Sequence, residues 1–169
     1  MNNLRKIVYI LLLLPIFVFA QEKPDALQMY RNGNYKAAEE ICREELKDVP
    51  KNMDSYTVLG WSLIKQKKYT EALEAGASAL KISRYDSRII EICGEANYYL
   101  GNNIEALNYF QEYAKLVPDG GRIDVVYYYM GEIYLRLGEY HHSDIAFSTA
   151  LYYSPNIARW WARLGYSRE

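Results

Sequence analysis

Residues 124–157, DVVYYYMGEIYLRLGEYHHSDIAFSTALYYSPNI, contain a clear copy of a pattern that recurs along the chain. A glycine follows a run of tyrosines at Gly131, and a second glycine comes seven residues later at Gly138. The small residue at the place of Gly131 recurs at intervals of 34, 34, 37 and 34 residues, at Ala26, Gly60, Gly94, Gly131 and Gly165. A fixed interval in this range is typical of stacked copies of one small structural unit.

Other residue types recur in the same phase, in frames that begin at residues 19, 53, 87, 124 and 158. In the second frame they are Tyr56, Leu59, Gly60, Leu63, Tyr69, Ala72, Ala79 and Leu80. In the fourth frame they are Tyr127, Met130, Gly131, Tyr134, Gly138, Tyr140, Phe147, Ala150 and Pro155. This pattern resembles the tetratricopeptide repeat family, whose unit is a helix, a tight turn and a second helix.

The resemblance implies an all-α fold, a right-handed α-solenoid of helix-turn-helix repeats. We expect about four units and a terminal half-unit, near residues 24–52, 53–86, 87–123, 124–157 and 158–169. The half-unit is either a capping helix, which solenoids need, or the first part of a fifth repeat, and the sequence leaves both open.

The mid-helix glycines carry a structural prediction. Glycine inside a helix costs about 1 kcal/mol against alanine, so Gly60, Gly94 and Gly131 indicate that another helix backbone comes close. Glycine at Gly33, Gly101 and Gly138 suits the left-handed conformation that ends a helix.

Three departures from the repeat stand out. Lys67 occupies the turn position that glycine holds elsewhere, and Gly76 stands where a large residue is usual, which predicts a thin spot in the packing. Asp119, Gly120 and Gly121 open a loop that makes one interval three residues longer than the others.

The first twenty residues are typical of a secretory signal peptide. Arg5 and Lys6 precede an apolar run at residues 7–20, and small residues suit cleavage after Ala20. Since a membrane span needs about 20 apolar residues, we expect a periplasmic or secreted protein with no stable span after removal of the signal. An uncleaved N-terminal membrane anchor is the alternative.

Charge argues against one class of partner. Without residues 1–20 the chain keeps 18 basic and 21 acidic residues, a net charge of −3. A protein that binds nucleic acid usually has an excess of basic residues, so we do not expect this chain to bind nucleic acid.

No arrangement of residues typical of catalysis or of a metal site is present, and we expect neither enzyme activity, nor a cofactor, nor a metal. His141 and His142 are neighbours on a helix and point about 100° apart, which does not suit one shared metal ion. Cys42 and Cys93 lie two units apart, beyond disulfide reach, and are interpreted as buried thiols.

The family resemblance implies binding residues on the concave face, which the first helix of each unit lines. Read onto this chain, the candidates are Tyr30, Trp61, Lys65, Glu95, Tyr98, Tyr99, Tyr128, Tyr129, Arg136 and Arg163. Aromatic anchors among charges of both signs suit a peptide or a partner helix. The competing interpretation is that some of the tyrosines only pack against the next helix.

We therefore expect an exported, non-enzymatic protein–protein interaction scaffold that binds a peptide or partner protein in its groove. The alternative is a small-molecule-binding or auxiliary subunit of an envelope transporter, which calls for a closed pocket and would accord with self-association. The sequence does not name the partner.

Overall fold

The computed structural model describes residues 25–169, which form helices joined by short turns and contain no strand. The helices are α1 (Ala26–Arg31), α2 (Tyr35–Asp48), α3 (Met53–Lys65), α4 (Tyr69–Ile82), α5 (Ser87–Leu100), α6 (Asn103–Leu116), α7 (Ile123–Arg136), α8 (Tyr140–Tyr153) and α9 (Ala158–Ser167). The predicted signal peptide at residues 1–20 lies outside the described residues. Within residues 25–169, no helix has the length and apolar character needed to cross a bilayer.

Local sequence sets where the first helices begin. The side chains of Asp25, Asn52 and Asp86 accept hydrogen bonds from backbone N–H groups in the first turns of α1, α3 and α5. These N–H groups have no partner inside the helix, so such caps stabilise helix starts by about 1 kcal/mol each.

The turn inside each unit has a left-handed residue. Gly33, Gly101 and Gly138 have φ of 80°, 81° and 75°, and Lys67 takes the same conformation at φ 61°. The turn therefore keeps its shape across the four units although one of them lacks the glycine that adopts it freely.

Helix packing gives the molecule its two sides. Each helix packs on the next in the chain, and α1 with α3, α3 with α5, and α5 with α7 are also in contact. The first helices thus form one continuous layer, here called the inner surface, and α2, α4, α6 and α8 lie behind it. The observed architecture is an all-α helical repeat solenoid, as predicted.

The core is divided along the chain. One cluster of buried residues is centred on α1 to α5, a second on α5 to α8, and a third on α8 and α9. Leu80 and Tyr109 touch both the first and the second cluster, and Tyr127 touches both the second and the third. The units are joined by contact between neighbours, as in other solenoids.

The mid-helix glycines accommodate side chains rather than the helix backbone that we expected. A Cβ at Gly94 would lie 2.6 Å from Phe110 Cε1, and one at Gly131 would lie 2.7 Å from Phe147 Cδ1. Both rings are fully buried. The glycine serves to let an aromatic ring from the second helix of the same unit pack closely against the first helix.

The second unit solves the same problem differently. Gly76 stands where Phe110 and Phe147 stand in the next two units, so no ring reaches Gly60. Instead, Ile92 of α5 packs on Gly60, and the sulfur of Cys93 packs on Gly76. The predicted thin spot is filled from the following unit.

The last helix is buried on one side only. Trp160 and Leu164 are buried against α7 and α8, whereas Trp161 and Tyr166 are more than half exposed. A Cβ at Gly165 would meet nothing within 4 Å, in contrast to Gly60, Gly94 and Gly131. The side of α9 that a second helix covers in each full unit is therefore open.

Candidate functional site

The centre of the inner surface holds a pocket of about 240 Å³. It is lined by residues from three of the first helices and from the loop before α7: Tyr30, Trp61, Ile64, Lys65, Glu95 and Arg122. The rings of Tyr30 and Trp61 lie with centroids 5.7 Å apart and form an aromatic wall. Lys65 is exposed at the rim, so an apolar wall and a positive charge face the same space.

An ion network that includes Glu95 and Arg122 forms another part of the pocket lining. Arg122 Nη2 donates to Glu91 Oε1 at 2.7 Å and lies 3.5 Å from Glu95 Oε2. The hydroxyl of Tyr129 donates to Glu95 Oε1 at 3.0 Å. Glu91 and Glu95 are nearly fully buried, and a buried carboxylate needs such partners because an unpaired buried charge is costly.

Burial dominates the protonation of Glu95. Loss of water, reinforced by the nearby charge of Glu91, raises the pKa of Glu95 above its usual value, and the bond from Tyr129 and the charge of Arg122 only partly offset this. Burial and the charge of Glu95 raise the pKa of the Tyr129 hydroxyl as well. Tyr129 therefore stays protonated and serves as the donor.

A group of tyrosines continues the surface toward α7. Tyr99 stacks on Tyr69 with ring centroids 4.8 Å apart, and its hydroxyl lies 3.2 Å from that of Tyr129. The guanidinium of Arg136 lies 4.0 Å above the ring of Tyr98, and its Nη1 donates to the Tyr98 carbonyl at 3.2 Å. Burial raises the pKa of Tyr98 to about 12, so this ring stays neutral beneath the cation.

The far end of the surface is built with the help of α9. Tyr128 stacks on Trp160 with centroids 5.0 Å apart. Arg163 holds Glu132 with two hydrogen bonds, one of them 2.9 Å from Nη2 to Oε2. Arg163 occupies the place in its unit that Tyr129 holds in the preceding one, and both bond the glutamate of the preceding unit. These residues therefore link units together.

The ten predicted site residues thus fall into three groups by exposure. Three are exposed: Lys65, Tyr99 and Arg136. Five are half-buried: Tyr30, Trp61, Tyr128, Tyr129 and Arg163. Two are buried: Glu95 and Tyr98. The pocket brings Tyr30, Trp61, Lys65 and Glu95 together. The role of the ten residues in binding stays a prediction. The contacts show that Glu95, Tyr98 and Arg163 also hold neighbouring helices together.

Arg122 lines the pocket but is not among the residues that the repeat pattern predicts. It precedes α7 and lies outside the first helices, on which the family resemblance places the binding residues, so the repeat pattern does not point to it. The signal was present in the longer interval, because the inserted loop at Asp119 to Gly121 is what sets Arg122 beside α5.

The cysteines and histidines form no second site. Cys42 and Cys93 are free and buried, and burial raises the pKa of each thiol to about 12. His141 and His142 are exposed. Among the described residues, no group of three or more His, Cys, Asp or Glu side chains is placed to hold a metal ion.

Two family models match the sequence. The model for the tetratricopeptide repeat matches residues 125–157, and one described as anaphase-promoting complex, cyclosome, subunit 3 matches residues 19–79. Residues 125–157 therefore form a tetratricopeptide repeat. No curated protein sequence matches the chain.

Solved structures of several proteins share its fold. MamA matches with a TM-score of 0.75 at 19% identity, covering 86% of this chain and 83% of MamA. PilF of Pseudomonas aeruginosa matches with a TM-score of 0.75 at 18% identity, covering 84% of this chain and 64% of PilF. A tetratricopeptide protein of Thermus thermophilus matches with a TM-score of 0.69 at 16% identity, covering 84% and 77%. At these identities the likeness shows the fold.

Proposed function

We propose that this helical repeat protein is a non-catalytic scaffold that binds a peptide segment of a partner protein on its inner surface. The observation that carries the proposal is the pocket on that surface, where a partly exposed aromatic wall of Tyr30 and Trp61 faces Lys65 and Arg122. Aromatic anchors beside fixed charges are typical of binding hot spots.

The dimensions of the pocket favour a side chain over a whole small molecule. Its volume of about 240 Å³ is below the range of about 300–1,000 Å³ that is usual for ligand sites. Tyr99 and Arg136 are exposed on the next two first helices, α5 and α7. An extended segment can place one side chain in the pocket and others along the row of first helices.

The first test locates the partner by photo-crosslinking. A photoreactive phenylalanine analogue replaces Tyr99 on the inner surface or, as the matched control, Tyr152 on α8, which is 82% exposed. We expect one partner, identified by mass spectrometry, to crosslink at position 99 and not at 152. Equal capture at both positions would contradict binding on the inner surface.

The second test measures the affinity of that partner for residues 21–169, which contain the whole described fold. Trp61→Ala should weaken binding by at least about tenfold, because a buried aromatic anchor is commonly worth about 2 kcal/mol or more. The control is Trp161→Ala on α9, since Trp161 is half exposed and remote from the pocket. Circular dichroism of both variants separates loss of binding from loss of fold.

We also propose that the protein is exported. The basic pair Arg5 and Lys6, the apolar run that follows and the small residue at Ala20 support this proposal. Intact mass of the protein purified from its native envelope tests it. A mass that starts at Gln21 would support export with cleavage, whereas a mass that retains residues 1–20 would support the membrane-anchored alternative.

A further inference from the structure

On the inner surface most carboxylates have an ion-pair partner, whereas several cations have none among residues 25–169. Four of its carboxylates are paired with an arginine of the same chain: Asp54 with Arg88, Glu91 and Glu95 with Arg122, and Glu132 with Arg163. Asp124 instead accepts a hydrogen bond from the hydroxyl of Ser154. Arg88 and Arg122 are only half-exposed, and the glutamates are buried. The three glutamates are therefore already paired and present little negative charge to a ligand, whereas Asp54 is paired with Arg88 but stays exposed.

Three cations on the same surface are not satisfied in this way. Arg31, Lys65 and Arg136 hold the same place in the last turns of α1, α3 and α7, and Tyr99 holds it in α5. Among residues 25–169, none of the three has a carboxylate oxygen within 4.0 Å. We call Arg31, Lys65 and Arg136 the basic row.

The helix dipole alone does not account for the basic row. A cation in the last turn of any helix is favourable, and Lys81 and Lys115 occupy that position in α4 and α6. On those second helices, however, acidic residues without an ion-pair partner in residues 25–169 lie alongside, namely Glu74, Glu105 and Glu112. In α1, α3, α5 and α7, by contrast, the exposed charged side chains that lack an ion-pair partner in residues 25–169 are all basic, in a chain whose formal net charge is −1.

We infer that the segment bound on the inner surface is acidic and extended, with side-chain carboxylates that meet the basic row. This inference rests on the proposed function and names the chemistry of its ligand. Complementary charge of this kind sets orientation and speeds encounter more than it adds affinity. The aromatic wall at Trp61 then anchors one side chain of the bound segment, and the basic row determines which residues of the segment lie opposite which helix.

Helix spacing gives the inference a sequence pattern. Packed helices lie about 8–10 Å apart, and an extended chain advances about 3.3 Å per residue, so one helix step corresponds to about three residues. Arg31 and Lys65 are one step apart, and Lys65 and Arg136 are two. Acidic residues are therefore expected at about i, i+3 and i+9, with an uncharged residue opposite Tyr99 near i+6.

The probe is a display library of random 14-residue peptides selected on residues 21–169. We expect the selected peptides to be enriched in Asp and Glu at the spacing above. Replacement of those residues by Asn and Gln in the best peptide should weaken its binding, and raising the salt concentration from about 0.05 to about 0.5 M should do the same, because salt screens exposed charges.

Two charge-matched variants give the decisive comparison. Arg31→Gln with Lys65→Gln should weaken the best peptide by about 4- to 25-fold, at about two- to fivefold for each exposed ion pair. Lys81→Gln with Lys115→Gln removes the same charge from the second helices and should change the affinity less than about twofold. All four side chains are exposed, so neither variant is expected to unfold the protein.

Each result decides between the two proposals. Acidic peptides that respond only to the inner-surface variant would support both. Peptides that lose binding with Trp61→Ala but show no acidic enrichment, or that ignore Arg31→Gln with Lys65→Gln, would overturn the acidic segment and leave the scaffold standing. Selection of no peptide at all would overturn the two together.

Discussion

Replacement of Gly131 by alanine tests the packing account of the repeat most directly. The added Cβ would lie 2.7 Å from both Cδ1 and Cε1 of Phe147 and 2.9 Å from Cζ. Real Cβ atoms do not approach other carbons so closely, and the ring has no exposed surface through which to withdraw. The substitution therefore forces the ring, and with it α8, away from α7.

The magnitude follows from two opposed effects. Overpacking of a filled core costs about 1–3 kcal/mol, and alanine gains about 1 kcal/mol over glycine in a helix. The net loss in free energy of unfolding for Gly131→Ala is thus about 0–2 kcal/mol. Gly94→Ala should behave alike, because its Cβ would lie 2.6 Å from Phe110 Cε1.

Gly165 provides the matched control. It lies within helix α9, where a Cβ would meet nothing within 4 Å. Gly165→Ala keeps the gain in helix propensity without the clash and should stabilise by about 0.5–1 kcal/mol. The same chemical change is therefore predicted to have different effects at two equivalent places in the repeat, separated by about 1–3 kcal/mol.

The assay is thermal and urea denaturation followed by far-ultraviolet circular dichroism, with residues 21–169 as the reference. A separation of about 1–3 kcal/mol corresponds to about 2–12 °C in midpoint for a chain of this size. If Gly131→Ala raised the midpoint as much as Gly165→Ala does, the ring of Phe147 would not be confined by Gly131, and the packing account would be refuted.

Three further predictions follow from single residues. Lys67→Gly should raise the free energy of unfolding by about 0.5–1 kcal/mol, since Lys67 has φ 61° and a left-handed conformation costs a side-chain-bearing residue about 1–2 kcal/mol; no change in the urea midpoint would contradict this. For Glu95, burial and the charge of Glu91 raise the folded-state pKa above the usual 4.5. The folded state therefore binds the proton more tightly than the unfolded state does, and the free energy of unfolding falls as the pH rises from the unfolded-state pKa through the folded-state pKa. The stability of Glu95→Gln relative to the unsubstituted chain, measured by urea denaturation, should therefore increase with pH, and a decrease would contradict the raised pKa of Glu95. Cys42 and Cys93 should react with iodoacetamide only as the chain opens, because burial raises each thiol pKa to about 12; mass spectrometry showing complete labelling of both within minutes in native buffer would be incompatible with their burial.

The repeat interval was enough to predict the fold because each unit makes its own helices and turns from local signals. Glycine at Gly101 and Gly138 marks the turn, and Lys67 takes the same conformation without that signal. What the interval does not encode is which side chain fills a gap. Gly76 was predicted to leave a thin spot, yet Ile92 and the sulfur of Cys93 fill it, because α5 packs against α4 and supplies the missing volume.

The sequence predicts a site residue well where its place in the helix determines which face of the helix it lies on. It predicts less well where contacts with other parts of the chain determine whether the side chain is exposed or buried. Trp61 and Lys65 lie on the pocket, as their places in the first helix indicate. The same reasoning places Glu95 on the surface, but its side chain is buried and its carboxylate is paired with the hydroxyl of Tyr129 and the guanidinium of Arg122. Tyr129 lies in the following unit and Arg122 lies in the loop that ends the same unit, so the place of Glu95 in its helix gives no information about either partner.

The division of the core into separate clusters has a mechanical consequence. A single compact core shares a load among all its contacts, whereas clusters joined in line each carry the whole tension applied between the ends of the chain. The cluster of Phe147, Ala150, Leu151, Trp160 and Leu164 has the fewest buried members. Under stretching, the chain should yield first at α8 and α9 and lengthen in steps, while the pocket around Trp61, in a larger cluster, keeps its shape and its hold on a bound segment.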